Sequence, residues 1–263
     1  MKSYLSITKS SFMAGLAYRG HFFFSLLGNL IFITITYFLW KSIFKNADMI
    51  KGMTFEQAFA YLSFAAAIST SMTTWSDWEM SRKVLEGSLV VDLIKPLDFQ
   101  LQTFFSNLGF VLNNVCALTL PTLIFVTTVF KVGFPLGFNL VFFIISYIMA
   151  VIIAFVIDYI IGLVSFYTES IWGISTTKDV IIMLLSGMVI PLNFYPEALA
   201  KVVLILPFQG ICNIPVRILM GNGMELKDYL QALAFQAVWM VVLIIISRVF
   251  YAKAVKVITV NGG

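Results

Sequence analysis

Charged residues divide this chain of 263 residues into long uncharged stretches. Runs without Lys, Arg, Asp or Glu cover 20–40, 57–76, 99–130, 132–157 and 229–247, with lengths of 21, 20, 32, 26 and 19 residues. A helix needs about 20 mostly apolar residues to cross the hydrocarbon core of a bilayer, so each of these runs can span. Two shorter runs, 180–196 and 202–216, are interrupted by Pro191, Asn193, Pro207 and Pro215, and only the first has the look of a crossing. The pattern therefore predicts an all-α membrane protein with six transmembrane helices, at roughly 20–43, 55–75, 101–129, 138–166, 171–191 and 229–250. Lys178 and Asp179 shorten the apolar part of the fifth and place its first two turns at the interface. Six spans put both termini on one side. With the termini in the cytoplasm, ten of the seventeen Lys and Arg fall on that side, which sets the expected orientation.

Three segments are not simple spans. In 1–19, a helix would gather Met1, Tyr4, Leu5, Phe12 and Leu16 on one face and leave Lys2 and Lys9 elsewhere, which suits a helix lying in the interface. A cytoplasmic tail is the alternative, because its serines are weak helix formers. The stretch 77–98 carries eight of the thirty charges and is expected in water. Within it, Val84, Leu85, Leu89, Val90, Leu93 and Ile94 recur at helical spacing, with Gly87 as a break and Pro96 as a stop. That reads as a short amphipathic helix offering a docking surface, or as an ordinary solvated loop. Residues 191–223 hold four of the seven prolines, so a straight helix is excluded. Irregular backbone at membrane depth needs protein or a wet cavity around it. A re-entrant segment over 192–223, with Leu192–Tyr195 as its way in and Met220–Gly223 as its way out, competes with a kinked outer loop.

Composition narrows the function classes. The chain is 60% hydrophobic and 11% charged, far from the balance of a water-soluble domain. The net charge of +4 is explained by basic residues at membrane edges, and no nucleic-acid partner is expected. Cys116 and Cys212 carry no partner motif, and a single histidine, His21, cannot build a metal site. A cleavable signal peptide is not expected, since 1–19 has no long apolar core. Phosphate-binding, zinc-protease and nucleophile-elbow motifs are missing, so no catalytic residue, metal or cofactor is expected on this chain. Gly133–Gly137 spells a G-x-x-x-G motif but belongs to a loop with Pro135; Ala150 and Ala154 are the better close-packing pair. Asp158 is a candidate intramembrane charge, although its place about twenty residues into the fourth span, roughly 30 Å of helix, favours the cytoplasmic interface. Asn107 and Asn114, seven apart on the third span, share a face and either line a pathway or bond between helices. With no clear relay of buried ionisable groups, energy for transport would come from a partner.

Two stretches carry a resemblance. Leu85-Glu86-Gly87-Ser88-Leu89 followed by Asp92-Leu93-Ile94-Lys95-Pro96-Leu97 resembles a signature that follows the second span of ATP-binding-cassette type-2 exporter permeases. Pro191-Leu192-Asn193-Phe194-Tyr195-Pro196, then Leu206-Pro207-Phe208, Pro215 and Gly221, is similar to that family's stretch before the last span. The resemblance implies that 1–263 is one permease domain with an interfacial helix (1–19), a cytoplasmic coupling segment (77–97) and re-entrant outer helices (192–223), in the plasma membrane. It implies a separate cytoplasmic ATPase dimer, which holds ATP and Mg, and a second permease, identical or related. Arg82, Lys83, Glu86 and Gly87 would face the ATPase, Lys95 and Pro96 would return the chain to the membrane, and Pro191, Phe194, Tyr195, Pro196 and Pro207 would shape an outer gate. The competing functions are a non-transporting scaffold or immunity-type protein on the same fold, and an intramembrane enzyme, for which the spans lack polar catalytic pairs. The substrate does not carry over.

Overall fold

The computed structural model describes residues 2–17, 19–72, 74–133, 137–221 and 223–257. Met1 of the expected interfacial face, Pro135 within Gly133–Gly137 and Asn222 within Met220–Gly223 lie outside the described residues. The described residues are helical nearly throughout, with one short antiparallel pair among them, β1 (Met49–Ile50) and β2 (Met53–Thr54). Helix α1 (Lys2–Leu16) leads into α2 (Arg19–Ile43), α3 (Phe55–Met72), α4 (Ser76–Leu85) and the short α5 (Leu89–Leu93). Next come α6 (Phe99–Asn114), a π-helical turn (Val115–Thr119) and α7 (Leu120–Val129), then α8 (Asn139–Val164) and α9 (Trp172–Leu185). Helices α10 (Glu197–Val203) and α11 (Asn213–Met220) precede the long α12 (Leu226–Ala254).

Among the described residues, four stretches are long and apolar enough to cross a bilayer: Gly20–Asn46, Phe99–Val129, Asn139–Val164 and Leu226–Ala254. Helix α8 is the hub, packed against α4, α11 and α12, and its Ile153, Phe155 and Tyr159 are fully enclosed. Ala150 and Ala154 are buried on the same helix. Helix α3 is wrapped by protein along most of its length, whereas α2 shows Phe23, Phe24 and Phe38 at more than 60% exposure. Apolar surface of that extent belongs in lipid or against another membrane chain.

Three departures from the sequence pattern have physical causes. The run 99–130 is not one regular helix, because Pro121 has no N–H to give and its ring crowds the preceding turn; the wider turn at Val115–Thr119 absorbs the mismatch. Helix α9 stops at Leu185, six residues before the expected end, and its 14 residues reach only about 21 Å. Gly187 ends it with φ +81°, and a Cβ there would meet the Tyr61 hydroxyl at 2.6 Å, so both the turn and the close approach require glycine.

The third departure is α1, which is a helix with Leu5 and Leu16 outward as an interfacial helix would have them, but is docked along α6 through its other face. Thr8 and Gly15 are buried, while Leu5 and Leu16 are 59% and 47% exposed. Thr8 Oγ1 donates to the Phe105 carbonyl at 2.8 Å, Ser11 and Ser106 hydroxyls lie 3.1 Å apart, and Asn113 Nδ2 donates to the Phe12 carbonyl at 3.0 Å. A Cβ on Gly109 would stand 2.5 Å from the Thr8 carbonyl oxygen, so the two backbones nearly touch. Small and polar faces joining while leucines look outward is how helices associate where the solvent is itself apolar.

Candidate functional site

The segment between α3 and α6 is built around one carboxylate. Helix α4 ends at Leu85, and Gly87, with φ +70°, reverses the chain so that α5 folds back beside it. Asp92 on α5 is 8% exposed. It receives Lys83 from α4 at 2.9 Å, Lys95 from the turn after α5 at 2.7 Å and Gln102 Nε2 from α6 at 2.9 Å. Lys83 also pairs with Glu79 at 2.8 Å. Burial raises the Asp92 carboxyl, but the hydrogen bonds from Lys95 and Lys83 outweigh it and hold it below the usual carboxylate range. Burial likewise pushes the Lys83 ammonium down, and Glu79 with Asp92 more than reverse this, leaving it above an ordinary lysine.

The expected coupling residues thus divide by task. Lys83 and Lys95 converge on Asp92, Gly87 makes the turn, and Pro96 stands in the link to α6. Arg82 and Glu86 pair with each other at 3.0 Å on the outside. The apolar stripe splits in the same way, with Leu89 buried and Leu85 and Ile94 exposed, Ile94 at 75%. The result is a rigid knob whose outer face mixes apolar side chains with one ion pair. The sequence reading counted Asp92 among the charges but assigned it no role; its i,i+3 spacing to Lys95 was the available signal. Downstream, Asp98 caps α6 through the Leu101 N–H and binds Arg248 of α12, so the knob's exit is tied to the last long helix.

Directly behind α4 lies a buried ionic cluster. Asp77, expected in water, is fully enclosed; Asp158, expected at the interface, is 5% exposed; Lys178, expected at the interface, is 7% exposed. Lys178 Nζ reaches Asp77 Oδ2 at 2.9 Å and Asp158 Oδ1 at 2.6 Å, and touches the exposed Asp179 at 3.0 Å. The Ser175 hydroxyl also donates to Asp77. The cluster joins α4, α8 and α9, and its buried members carry one positive and two negative formal charges. These charges withdraw from water because each finds the others across helices.

At 191–223 the expected gate residues do not form one constellation. Phe194 packs edge-on against Trp40 with centroids 4.9 Å apart, and the Tyr195 hydroxyl donates to the Leu184 carbonyl. Pro191 is buried, Pro196 starts α10, and the buried Pro207 opens a separate 3-10 turn, Pro207–Gly210. What holds this broken stretch is a set of buried polar contacts that the sequence did not announce. Tyr61 donates to the Gly187 carbonyl at 3.0 Å and to Asn213 Oδ1 at 3.1 Å; Gln236 of α12 donates to the Gly210 carbonyl at 2.8 Å and accepts from Ser146 of α8 at 2.8 Å. Non-helical backbone is thereby satisfied by side chains of the surrounding helices, as burial demands.

Asn107 and Asn114 do share a wall, that of a cavity of about 580 Å³ also bordered by His21 of α2 and Glu79 of α4. Asp158 is not among its lining residues. Cys116 and Cys212 are free, and among the described residues no group of three or more His, Cys, Asp and Glu could hold a metal ion.

Comparison with known proteins decides the family. The profile described as ABC-2 family transporter protein matches residues 30–262, nearly the whole chain. The chain belongs to the ABC-2 family of transporter proteins. No curated protein matches it in sequence. An ABC-2 chain is a multi-pass membrane component of transport, a permease that works in partnership with an ATPase.

Proposed function

We propose that this ABC-2 permease is one permease domain forming half of an ATP-driven exporter of the plasma membrane, and that its energy comes from a separate cytoplasmic ATPase dimer. The observation that carries the proposal is the Asp92-centred knob. It is fastened at its base to α4 and α6, and presents Arg82, Leu85, Glu86 and Ile94 to whatever docks beneath. A knob fixed in this way passes an applied displacement to the long helices instead of yielding locally. In this reading ATP and Mg are held by the ATPase, this chain catalyses nothing, and six crossings leave both termini in the cytoplasm. Helices α3 and α9 provide the second and fifth crossings, and the broken stretch 192–223 is the re-entrant outer segment. Pro191, Phe194, Tyr195, Pro196 and Pro207 shape the outer gate. Asn107, Asn114 and Asp158 serve the pathway and its immediate support, and a second permease, identical or related, supplies the other half.

The test is co-purification from membranes solubilised in mild detergent. Arg82→Glu combined with Ile94→Asp alters only exposed side chains of the knob, so the permease should remain folded and lose its ATPase. Lys83→Met, which removes the link from α4 to Asp92, should lose the ATPase together with order in the segment. If a permease that retains its other membrane partners brings down no ATPase, the exporter reading is wrong.

A further inference from the structure

Helix α11 is buried at every residue from Asn213 to Leu219 except Arg217. Arg217 makes no ion pair and no side-chain hydrogen bond among the described residues. It lines a recess of about 270 Å³ together with Gln57 and Tyr61 of α3, Asn193 and Asn213. Its charge is near enough to act on the Tyr61 hydroxyl, so it is felt inside that recess. No Asp or Glu is among the described lining residues, and Asn222, outside the described residues, brings no charge. Arg217 also borders a second recess with Asp228, but the two form no ion pair, and Asp228 Oδ2 accepts the Glu225 N–H at 2.9 Å.

The wall has spent acceptors and kept donors. Asn213 Oδ1 accepts from Tyr61 at 3.1 Å, while its Nδ2 donates to Gln209 at 3.2 Å. Gln57 Oε1 accepts the Thr54 N–H at 3.1 Å in the cap of α3, which leaves Nε2 to donate. The exposed Asn193 has no side-chain partner among the described residues, so its amide can turn its N–H groups inward. A guanidinium fork matches two oxygens of an anion at once. The two amides add donors for a third oxygen, which a phosphate has and a carboxylate lacks. The recess is smaller than those that enclose a drug-sized molecule, so it takes a head group rather than a whole ligand.

We propose that this recess is a phosphate site, in which Arg217, Gln57 and Asn193 hold the head of an organic phosphate. The occupant ties α3 to α11 and to the turn at 191–193, and so adds a fastening to the broken stretch beside the Tyr61 clasp. Its place on the outer side rests on the orientation proposed above, whereas the binding itself does not. An arginine that merely snorkels to lipid phosphates is replaceable by lysine; one that clasps two oxygens is not.

The test uses the full-length permease in mild detergent, without ATPase, and two probes. Native mass spectrometry counts bound phosphatidylglycerol against phosphatidylcholine, and calorimetry measures glycerol 1-phosphate, the free head. At least one probe should bind at one equivalent per chain, and Arg217→Lys should weaken it about tenfold, the worth of a hydrogen bond to a charged group. Gln57→Glu keeps the acceptor for the Thr54 N–H but puts a carboxylate in the wall; it should weaken the same probe at least as much, with the melting temperature unchanged. Lys201→Met, which removes an exposed cation outside the recess, should change neither readout. Phosphatidylglycerol preferred about tenfold over phosphatidylcholine assigns the phosphate to a lipid, and calorimetric binding without that preference assigns it to a soluble ester. Failure of both probes to bind, or binding that either recess variant leaves intact, overturns the proposal. Loss of ATPase co-purification leaves these readouts untouched, and a recess that binds neither probe leaves the co-purification result standing, so the two readings fail separately.

Discussion

Replacing Lys178 with methionine removes the single cation from a buried cluster that holds two carboxylates. Asp77 and Asp158 are 0% and 5% exposed, and both make their ion pair to the same Nζ, at 2.9 and 2.6 Å. Without it, two like charges share one enclosed site. Breaking a buried pair in this way costs about 3–5 kcal/mol, because the uncompensated charge stays behind. In a chain of this size that lowers the melting temperature by on the order of 10 °C. Asp158→Asn is the informative contrast. It leaves Lys178 paired one-to-one with Asp77, and the amide keeps the shape of the carboxylate, so its cost should stay below about 1.5 kcal/mol. Thermal unfolding of the detergent-solubilised permease, followed by loss of the monodisperse peak on size-exclusion chromatography, gives both numbers. The charge count predicts a marked asymmetry between the two variants. Equal destabilisation by Lys178→Met and Asp158→Asn, or a silent Lys178→Met, would refute the reasoning.

Other expectations follow from single contacts. Gly109→Val places a side chain where even a Cβ stands 2.5 Å from the Thr8 carbonyl; α1 should leave α6 at a cost of about 1–3 kcal/mol, seen as new proteolytic cleavage within 2–17. Gly187→Ala combines φ +81° with a clash on the Tyr61 hydroxyl and should destabilise by about 1–3 kcal/mol in the same melting assay. The acid limb of the stability profile should belong in part to Asp92. Its folded value is depressed, so its contribution is complete above the ordinary carboxylate range and is lost as pH falls through the folded value. Lys83 is raised, so its contribution is complete below the ordinary lysine value and is lost as pH climbs through the folded one. Melting temperatures between pH 3 and pH 8 should therefore fall less steeply toward acid in Asp92→Asn than in the parent; parallel slopes would sink the assignment.

The long helices were legible because hydropathy alone writes them. The expected 20–43, 138–166 and 229–250 lie close to α2, α8 and α12. The knob's turn at Gly87 was legible as well, since glycine past a run of helical residues signals a reversal. The ionic cluster was not. Asp77 and Lys178 are 101 residues apart, and no local periodicity pairs a charge at the edge of one run with a charge at the edge of another. The same distance in sequence hid the clasp of Tyr61 on Asn213, although the prolines announced the broken backbone that it holds. Pro121 was in plain view as the sign of the wide turn in the third apolar run. In helix α1 the outward leucines were legible, because Leu5 and Leu16 belong to the face expected at the membrane. Its docking on α6 was not, since Thr8 and Gly15 on the opposite face give no apolar periodicity to read.

That docking bears on how the protein is made. The partner of Thr8 is Phe105, 97 residues further along the chain. At about 5–20 residues per second, synthesis leaves α1 without its berth for roughly 5–20 s. During that interval Thr8, Ser11 and Gly15 have no companion helix, while Leu5, Met13 and Leu16 already suit the membrane surface. Helix α1 must therefore wait at the headgroups, leucines down and polar side up. It docks only once α6 has been inserted beside it.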